Sequence, residues 1–305
     1  MLTLKSKSVC LLLVMAGLLA ALGWNRGLAD TAGLSAGLKS QSDDLASADE
    51  PHASVGDYPR SSGPARADFE GARDLYAYVQ ALRVRETAGD AQALWKVSQV
   101  LDYCTGFAGD PAGYAADTQA IRNLNGASTA AMAAARDRVS QRCARFVPAD
   151  GLTQKALRDK RFDAARAGSL AAEAALLAMG EPLLPDNDYL RDLVERVRRS
   201  GDPEAYVAIS PAMGIAGSGR EAYLGRVSGT QYSELAWLLA ACRLGNDCSP
   251  GGVLMTSYCA NGGICSRDSS QDFYTFVLDA GVPRQGADHL NGMVDSLMTG
   301  TGVAK

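Results

Sequence analysis

Residues 68–104 read DFEGARDLYAYVQALRVRETAGDAQALWKVSQVLDYC. Phe69, Ala72, Leu75, Tyr76, Val79, Leu82 and Val84 recur near the 3.6-residue period of an amphipathic helix. Gly89 and Asp90 interrupt the pattern, and Ala93, Leu94, Val97, Val100, Leu101 and Cys104 resume it. Glycine tolerates the positive φ that ends a helix, and aspartate accepts from the free N–H groups that open the next. The stretch therefore predicts two helices joined by a tight turn.

The same punctuation returns further along. Gly168-Ser169 separates apolar periods over 157–167 and 170–179. Gly201-Asp202-Pro203 separates 190–199 from 204–209, with Pro203 suited to a first helical position. An alanine-rich helix is expected over 129–146, and a short one from Tyr232 to Cys242, closed by Gly245. Abundant alanine with only 7% aromatic residues favours closely packed helices over sheet. The expected fold class is all-α: an irregular domain of repeat-like helical hairpins over 68–305, stapled by disulfides and preceded by a disordered linker.

Upstream of that domain the chain reads differently. Lys5 and Lys7 precede an uncharged run over 9–22, shorter than the ~20 apolar residues of a spanning helix. Small residues at Gly27 and Ala29 suit cleavage after Ala29, and Ala21 with Gly23 suit cleavage after Gly23. Residues 1–29 are thus expected to be a signal peptide, or else an uncleaved amino-terminal anchor. Residues 30–67 are rich in Gly, Ser, Ala, Asp and Pro and predict a flexible acidic linker. His52 lies within it, where no ligand geometry can be held. Loss of Lys5, Lys7 and Arg26 with the signal takes the net charge from −4 to −7. So acidic a chain is not expected to bind nucleic acid, whose phosphates are held by Lys and Arg. Arg196, Arg198 and Arg199 lie beside Asp192 and Glu195 and read as a solvated helix face.

Six cysteines remain after the signal: Cys104, Cys143, Cys242, Cys248, Cys259 and Cys265. An even count in an exported chain reads as three disulfides, among fifteen possible connectivities. Spacing favours Cys242 with Cys248 across a helix end at 244–246, and Cys259 with Cys265 across a reversal at 261–263. Cys104 and Cys143 then pair at the ends of the two helices that bracket 105–128. A zinc site on the last four is the competing reading, but five residues separate each pair where zinc sites favour two to four. A catalytic cysteine would need a neighbouring base, and only His289 lies in the folded region.

No catalytic, cofactor or metal set is expected otherwise. The phosphate-loop, dinucleotide and nucleophile-elbow patterns are missing, and the glycine-rich run 214–220 reads as a plain inter-helix loop. Glu173, Glu204, Glu221 and Glu234 lie near helix starts, where each favours the helix dipole and each is a candidate for carboxylate chemistry in a groove. Trp95, Trp237, Tyr232, Phe273, Tyr274 and Phe276 fall at helical spacing and are expected in the core.

The run Phe162-Asp163-Ala164-Ala165-Arg166-Ala167-Gly168-Ser169-Leu170-Ala171-Ala172-Glu173-Ala174 resembles the helical hairpins of tetratricopeptide-like repeats, the Sel-one-like subclass in particular. Gly201-Asp202-Pro203-Glu204-Ala205-Tyr206 is similar, and Gly168 and Gly201 stand one such repeat apart. The resemblance implies an α-solenoid that binds proteins or peptides on a concave face. The expected function is therefore an exported module, periplasmic or secreted, that binds an unidentified protein or peptide without catalysis. The alternative is a cell-envelope glycan hydrolase that uses a helix-borne carboxylate. No membrane contact is expected beyond the possible anchor.

Overall fold

A computed structural model describes residues 69–299 except Glu221 and Leu224. The expected signal, the acidic linker, His52 and Glu221 lie outside the described residues. Among the described residues there are twelve α-helices and no strand. They are α1 (Leu75–Thr87), α2 (Ala91–Ala108), α3 (Pro111–Asn123), α4 (Ala127–Cys143), α5 (Gln154–Arg166) and α6 (Leu170–Ala178). Then follow α7 (Asn187–Ser200), α8 (Pro203–Met213), α9 (Gln231–Arg243), α10 (Val253–Gly262), α11 (Phe273–Ala280) and α12 (Ala287–Met298). None is long and apolar enough to cross a membrane.

The helix boundaries follow from cap chemistry. The carboxylate of Asp90 accepts from the Ala93 N–H at 2.8 Å, and the Ser169 hydroxyl from Ala172 at 3.2 Å. Asp202 accepts from Glu204 at 2.9 Å with Pro203 at the first helical position. Each such cap contributes about 1 kcal/mol by satisfying an otherwise free donor. Gly89 and Gly201 close the preceding helices at φ 77° and 62°, a conformation that costs any other residue strain.

One expectation changes. The segment 105–128 is not a plain connector, because α2 runs on to Ala108 and α3 occupies most of the rest. Asp110 caps α3 and Pro111 starts it, but only Tyr114 and Thr118 are buried there. So thin an apolar face leaves almost no periodic signal.

The principal packing is between helices two or three positions apart in the chain, with α8 on α9 the main sequential pair. α2 lies along α5, α6 against α8, α8 against α9 and α9 against α12. α4 packs on α10, which joins the amino-terminal helices to the carboxy-terminal ones. One core fills the space among α5 to α12 around Trp237, Tyr206, Leu193 and Phe273. A second lies among α1 to α4 and the end of α10, and includes Cys104, Cys143 and Cys259. The Trp237 indole N–H donates to the Val227 carbonyl at 2.8 Å, which satisfies the one polar atom of a fully buried side chain. Trp237, Phe273 and Phe276 are core residues as expected, while Tyr232 and Tyr274 are only half-buried.

The disulfides are Cys104–Cys143, Cys242–Cys248 and Cys259–Cys265, with Cα separations of 5.6, 5.7 and 4.4 Å. The first ties α2 to the end of α4 inside the second core. The other two close loops that follow α9 and α10. All four carboxy-terminal sulfurs are therefore engaged in bridges, which leaves no thiolate there for zinc.

Candidate functional site

α2, α8, α9 and α10 each turn one stripe toward a common cavity of about 650 Å³. From α2 come Trp95, Gln99, Asp102 and Tyr103, and from α8 Glu204, Val207, Ala208 and Pro211. Glu234 and Leu238 come from α9, and Leu254, Ser257, Tyr258 and Asn261 from α10. These are spacings of three, four and seven, so each set shares one helix face. A core-facing stripe is normally apolar throughout; here each one carries a polar side chain. Phe69 and Glu70, Arg161 from α5, and Ala175 and Ala178 from α6 complete the helical wall.

The rest of the wall comes from the two bridged loops. Gly245, Asn246 and Asp247 lie inside the Cys242–Cys248 ring, and Asn261, Gly262 and Ile264 inside the Cys259–Cys265 ring. A second cavity of about 560 Å³ shares Glu70, Tyr103, Asp247 and Val253 with the first, and its other lining residues include Arg73, Arg138 and Arg142. Glu70 and Asp247 thus stand in a wall common to both.

Five carboxylates line the larger cavity: Glu70, Asp102, Glu204, Glu234 and Asp247. Two have partners of opposite charge. Arg161 Nη2 donates to Asp102 at 2.7 Å, and Lys96 donates to Glu204, which also accepts from the Trp95 indole at 2.7 Å. The other three are held differently. Asp247 accepts from the Ser249 N–H at 3.0 Å. Glu234 lies over Gly214, where an added Cβ would come within 2.8 Å of its Oε2. Glu70 is placed through its backbone: the Arg142 guanidinium donates to the Phe69, Glu70 and Ala72 carbonyls while covering the Phe69 and Tyr103 rings.

Burial, and secondarily the charge of Asp247, pushes the Glu70 carboxyl from 4.5 up to about 7, against the opposing pull of Arg142 and Lys96. Burial also raises Glu234. The Tyr258 hydroxyl is raised by burial first and by Glu234 second. Charged forms are penalised where water is scarce. Three side-chain atoms at the cavity, Glu70 Oε2, Gln99 Oε1 and Arg161 Nε, are buried with no hydrogen-bond partner. Such groups cost about 1–3 kcal/mol each until something meets them. Among the described residues, no three His, Cys, Asp or Glu side chains converge as metal ligands.

No protein-family model, curated protein or solved structure matches this chain.

Of the four glutamates singled out in the sequence, Glu204 and Glu234 line the cavity. Glu173 lies elsewhere, accepting from Arg196 at 2.7 and 2.8 Å and from the Tyr189 hydroxyl at 2.5 Å. Burial alone would raise its carboxyl, but Arg196 and Tyr189 outweigh that and hold it below the ordinary value. Arg196 is thus not simply a solvated charge; it reaches inward from α7 to a buried acid, while Arg198 and Arg199 stay with Glu195. His289 meets Tyr232 edge-on at 6.2 Å and is not part of the cavity lining. Glu70, Asp102 and Asp247 carried no sequence signal, because each borders its site only through a tertiary contact. Trp95 is buried as expected, yet its indole N–H serves the cavity wall.

Proposed function

We propose that this protein is an exported binding module that takes a short peptide segment into the central cavity without acting on it chemically. The observation that carries this reading is the cavity itself: four helices and two disulfide-closed loops surround it with aromatic rings, amides and carboxylates. Its volume falls in the range that holds small ligands and short segments, about 300–1,000 Å³. The amides of Asn246 and Asn261 and the hydroxyls of Ser257 and Tyr258 in its lining give a peptide backbone or side chain places to bond. Three disulfides suit an oxidising compartment, and the amino-terminal charge and apolar run suit secretion or delivery to the periplasm. The hairpins α5–α6 and α7–α8, with their glycine turns, are compatible with a tetratricopeptide-like ancestry.

Equilibrium selection from a random tripeptide library tests the reading. One peptide class should bind with one site per chain, and Ala208→Trp, which fills the cavity, should abolish it. Binding that survives Ala208→Trp, or a library with no retained class, overturns the proposal.

One observation favours a second reading, a glycan hydrolase. Glu70 keeps a proton near neutral pH beside Asp247, and an unequally protonated carboxyl pair is what glycoside cleavage uses. Release of new reducing ends from cell-wall glycan, lost in Glu70→Gln, would establish it; no release by the wild type would remove it.

A further inference from the structure

Acids outnumber cations in the cavity lining, where Arg161 stands among five carboxylates. Arg161 answers Asp102 and Lys96 answers Glu204. Among the described residues no cation forms an ion pair with Glu70, Glu234 or Asp247. Three carboxylates in a partly dry enclosure are costly when ionised, and the cost falls when a cation enters. The same enclosure offers the rings of Trp95 and Tyr258, and aromatic faces attract cations.

The size of the cation follows from the spread of the acids. A divalent metal ion draws six or more oxygens to itself within a few ångströms. No three acids converge that way among the described residues. Carboxylates distributed over α9, a bridged loop and the segment before α1 suit a larger, softer ion with an aliphatic body. Leu238, Val207 and Leu254 provide apolar surface between them.

We infer that the cavity recognises an organic cation, the alkylammonium or guanidinium group of a lysine or arginine side chain, with Glu234, Asp247 and Glu70 as its counter-charges. This rests on the reading of the cavity as a peptide site and names the part of the peptide that it selects.

A coupling to protons follows. Glu70 faces Asp247 from the bridged loop, Arg142 from α4, Lys96 and Tyr103 from α2, and the backbone amide of Val253 at the start of α10. Arg138 and Arg73 lie around the adjoining cavity. A cation arriving among these groups favours the ionised carboxylate, so binding expels the Glu70 proton. Affinity rises from pH 5 to pH 8, and each binding event releases a proton at pH 6 that it does not release at pH 8.5.

Titration calorimetry on the full chain provides the test, run in buffers of different ionisation enthalpy. The probes are a blocked Ala-Lys-Ala tripeptide, its norleucine counterpart and free 1,5-diaminopentane. Glu234→Gln is the informative variant: among the described residues the Glu234 side chain makes no hydrogen bond that the change would break, and circular dichroism checks its fold. The lysine peptide should bind at least about tenfold more tightly than the norleucine peptide, and Glu234→Gln should erase most of that ratio. Proton release should appear at pH 6. A norleucine peptide that binds equally well overturns the cation inference and leaves the peptide reading standing. A diamine that binds as tightly as the lysine peptide keeps the cation and removes the peptide. No binding of either cation, or binding that Glu234→Gln leaves unchanged, overturns the inference.

Discussion

Replacing Glu70 with glutamine separates the cost of the cavity from its use. In the folded chain this carboxyl is raised from 4.5 to about 7, by burial first and by Asp247 second. The folded state therefore holds a proton over a pH range in which the unfolded chain has lost it. Stability that is fully present below the unfolded value is lost as pH rises through the folded one. At ~1.4 kcal/mol per unit, the loss between pH 4.5 and 7 reaches about 3 kcal/mol, less whatever solvent in the cavity screens. Glutamine matches the shape of the protonated acid and has no proton to lose. The variant and the wild type should thus differ by under about 1 kcal/mol at pH 5, and the variant should be more stable at pH 8, by up to about 3 kcal/mol. Urea unfolding at pH 5, 6, 7 and 8, followed by circular dichroism and tryptophan fluorescence together, measures this difference. Other titrating groups cancel in the comparison. Curves for the two proteins that stay parallel across the range would refute the argument, because they would mean that Glu70 is as well solvated folded as unfolded.

Three further outcomes follow from the packing. Replacing Cys104 and Cys143 by alanine frees a loop 39 residues long and should cost about 4 kcal/mol by loop entropy, read as a lowered urea midpoint. Glu173→Ala leaves Arg196 and Tyr189 of α7 facing a buried gap and should cost about 2 kcal/mol, while Arg199→Ala on the exposed side of α7 should cost under about 0.5 kcal/mol; thermal unfolding of the two variants compares them. At Gly217 an added Cβ would stand 2.8 Å from the Ala212 carbonyl oxygen and 3.1 Å from the Tyr223 ring, so Gly217→Ala should lower the melting temperature although the residue's backbone angles are ordinary; an unchanged melting temperature would mean that the turn after α8 gives way freely.

Much of the fold was legible because its punctuation is local. Asp90, Ser169 and Asp202 each cap a helix from within three residues of the N–H they serve, so sequence distance and spatial distance coincide. The short disulfides were legible for the same reason: a sequence separation of 6 across a chain reversal brings two sulfurs together whatever the rest of the chain does. The α3 helix was hidden because Asp110 and Pro111 announce it but its body buries almost nothing. The cavity was half hidden. Glu204 and Glu234 drew notice for standing near helix starts, yet that reasoning also chose Glu173, whose neighbours Arg196 and Tyr189 come from another helix. Glu70 and Asp247 lie on irregular backbone with no periodicity to mark them. They meet only because α4 packs on α10 and Arg142 pins the carbonyls ahead of α1, contacts between residues about seventy apart in the chain and more.

The placement of the two short bridges makes a further point about cost. Each closes a ring with a sequence separation of 6, worth about 2 kcal/mol against the unfolded chain, roughly half of what the long bridge supplies. Stability alone would have favoured bridging distant helices. Instead each ring contributes side chains to one wall of the cavity, Asn246 and Asp247 from the first and Asn261 and Ile264 from the second. Loops that bind a ligand ordinarily give up conformational entropy when they close on it, at about 0.5–1.5 kcal/mol for each side chain immobilised. A covalent ring removes part of that loss before the ligand arrives. The same constraint holds Asp247 beside Glu70, where its charge helps to keep the glutamate protonated. Disulfide, acid pair and cavity are therefore one arrangement, and loosening the Cys242–Cys248 ring should weaken binding by more than its small share of the folding energy.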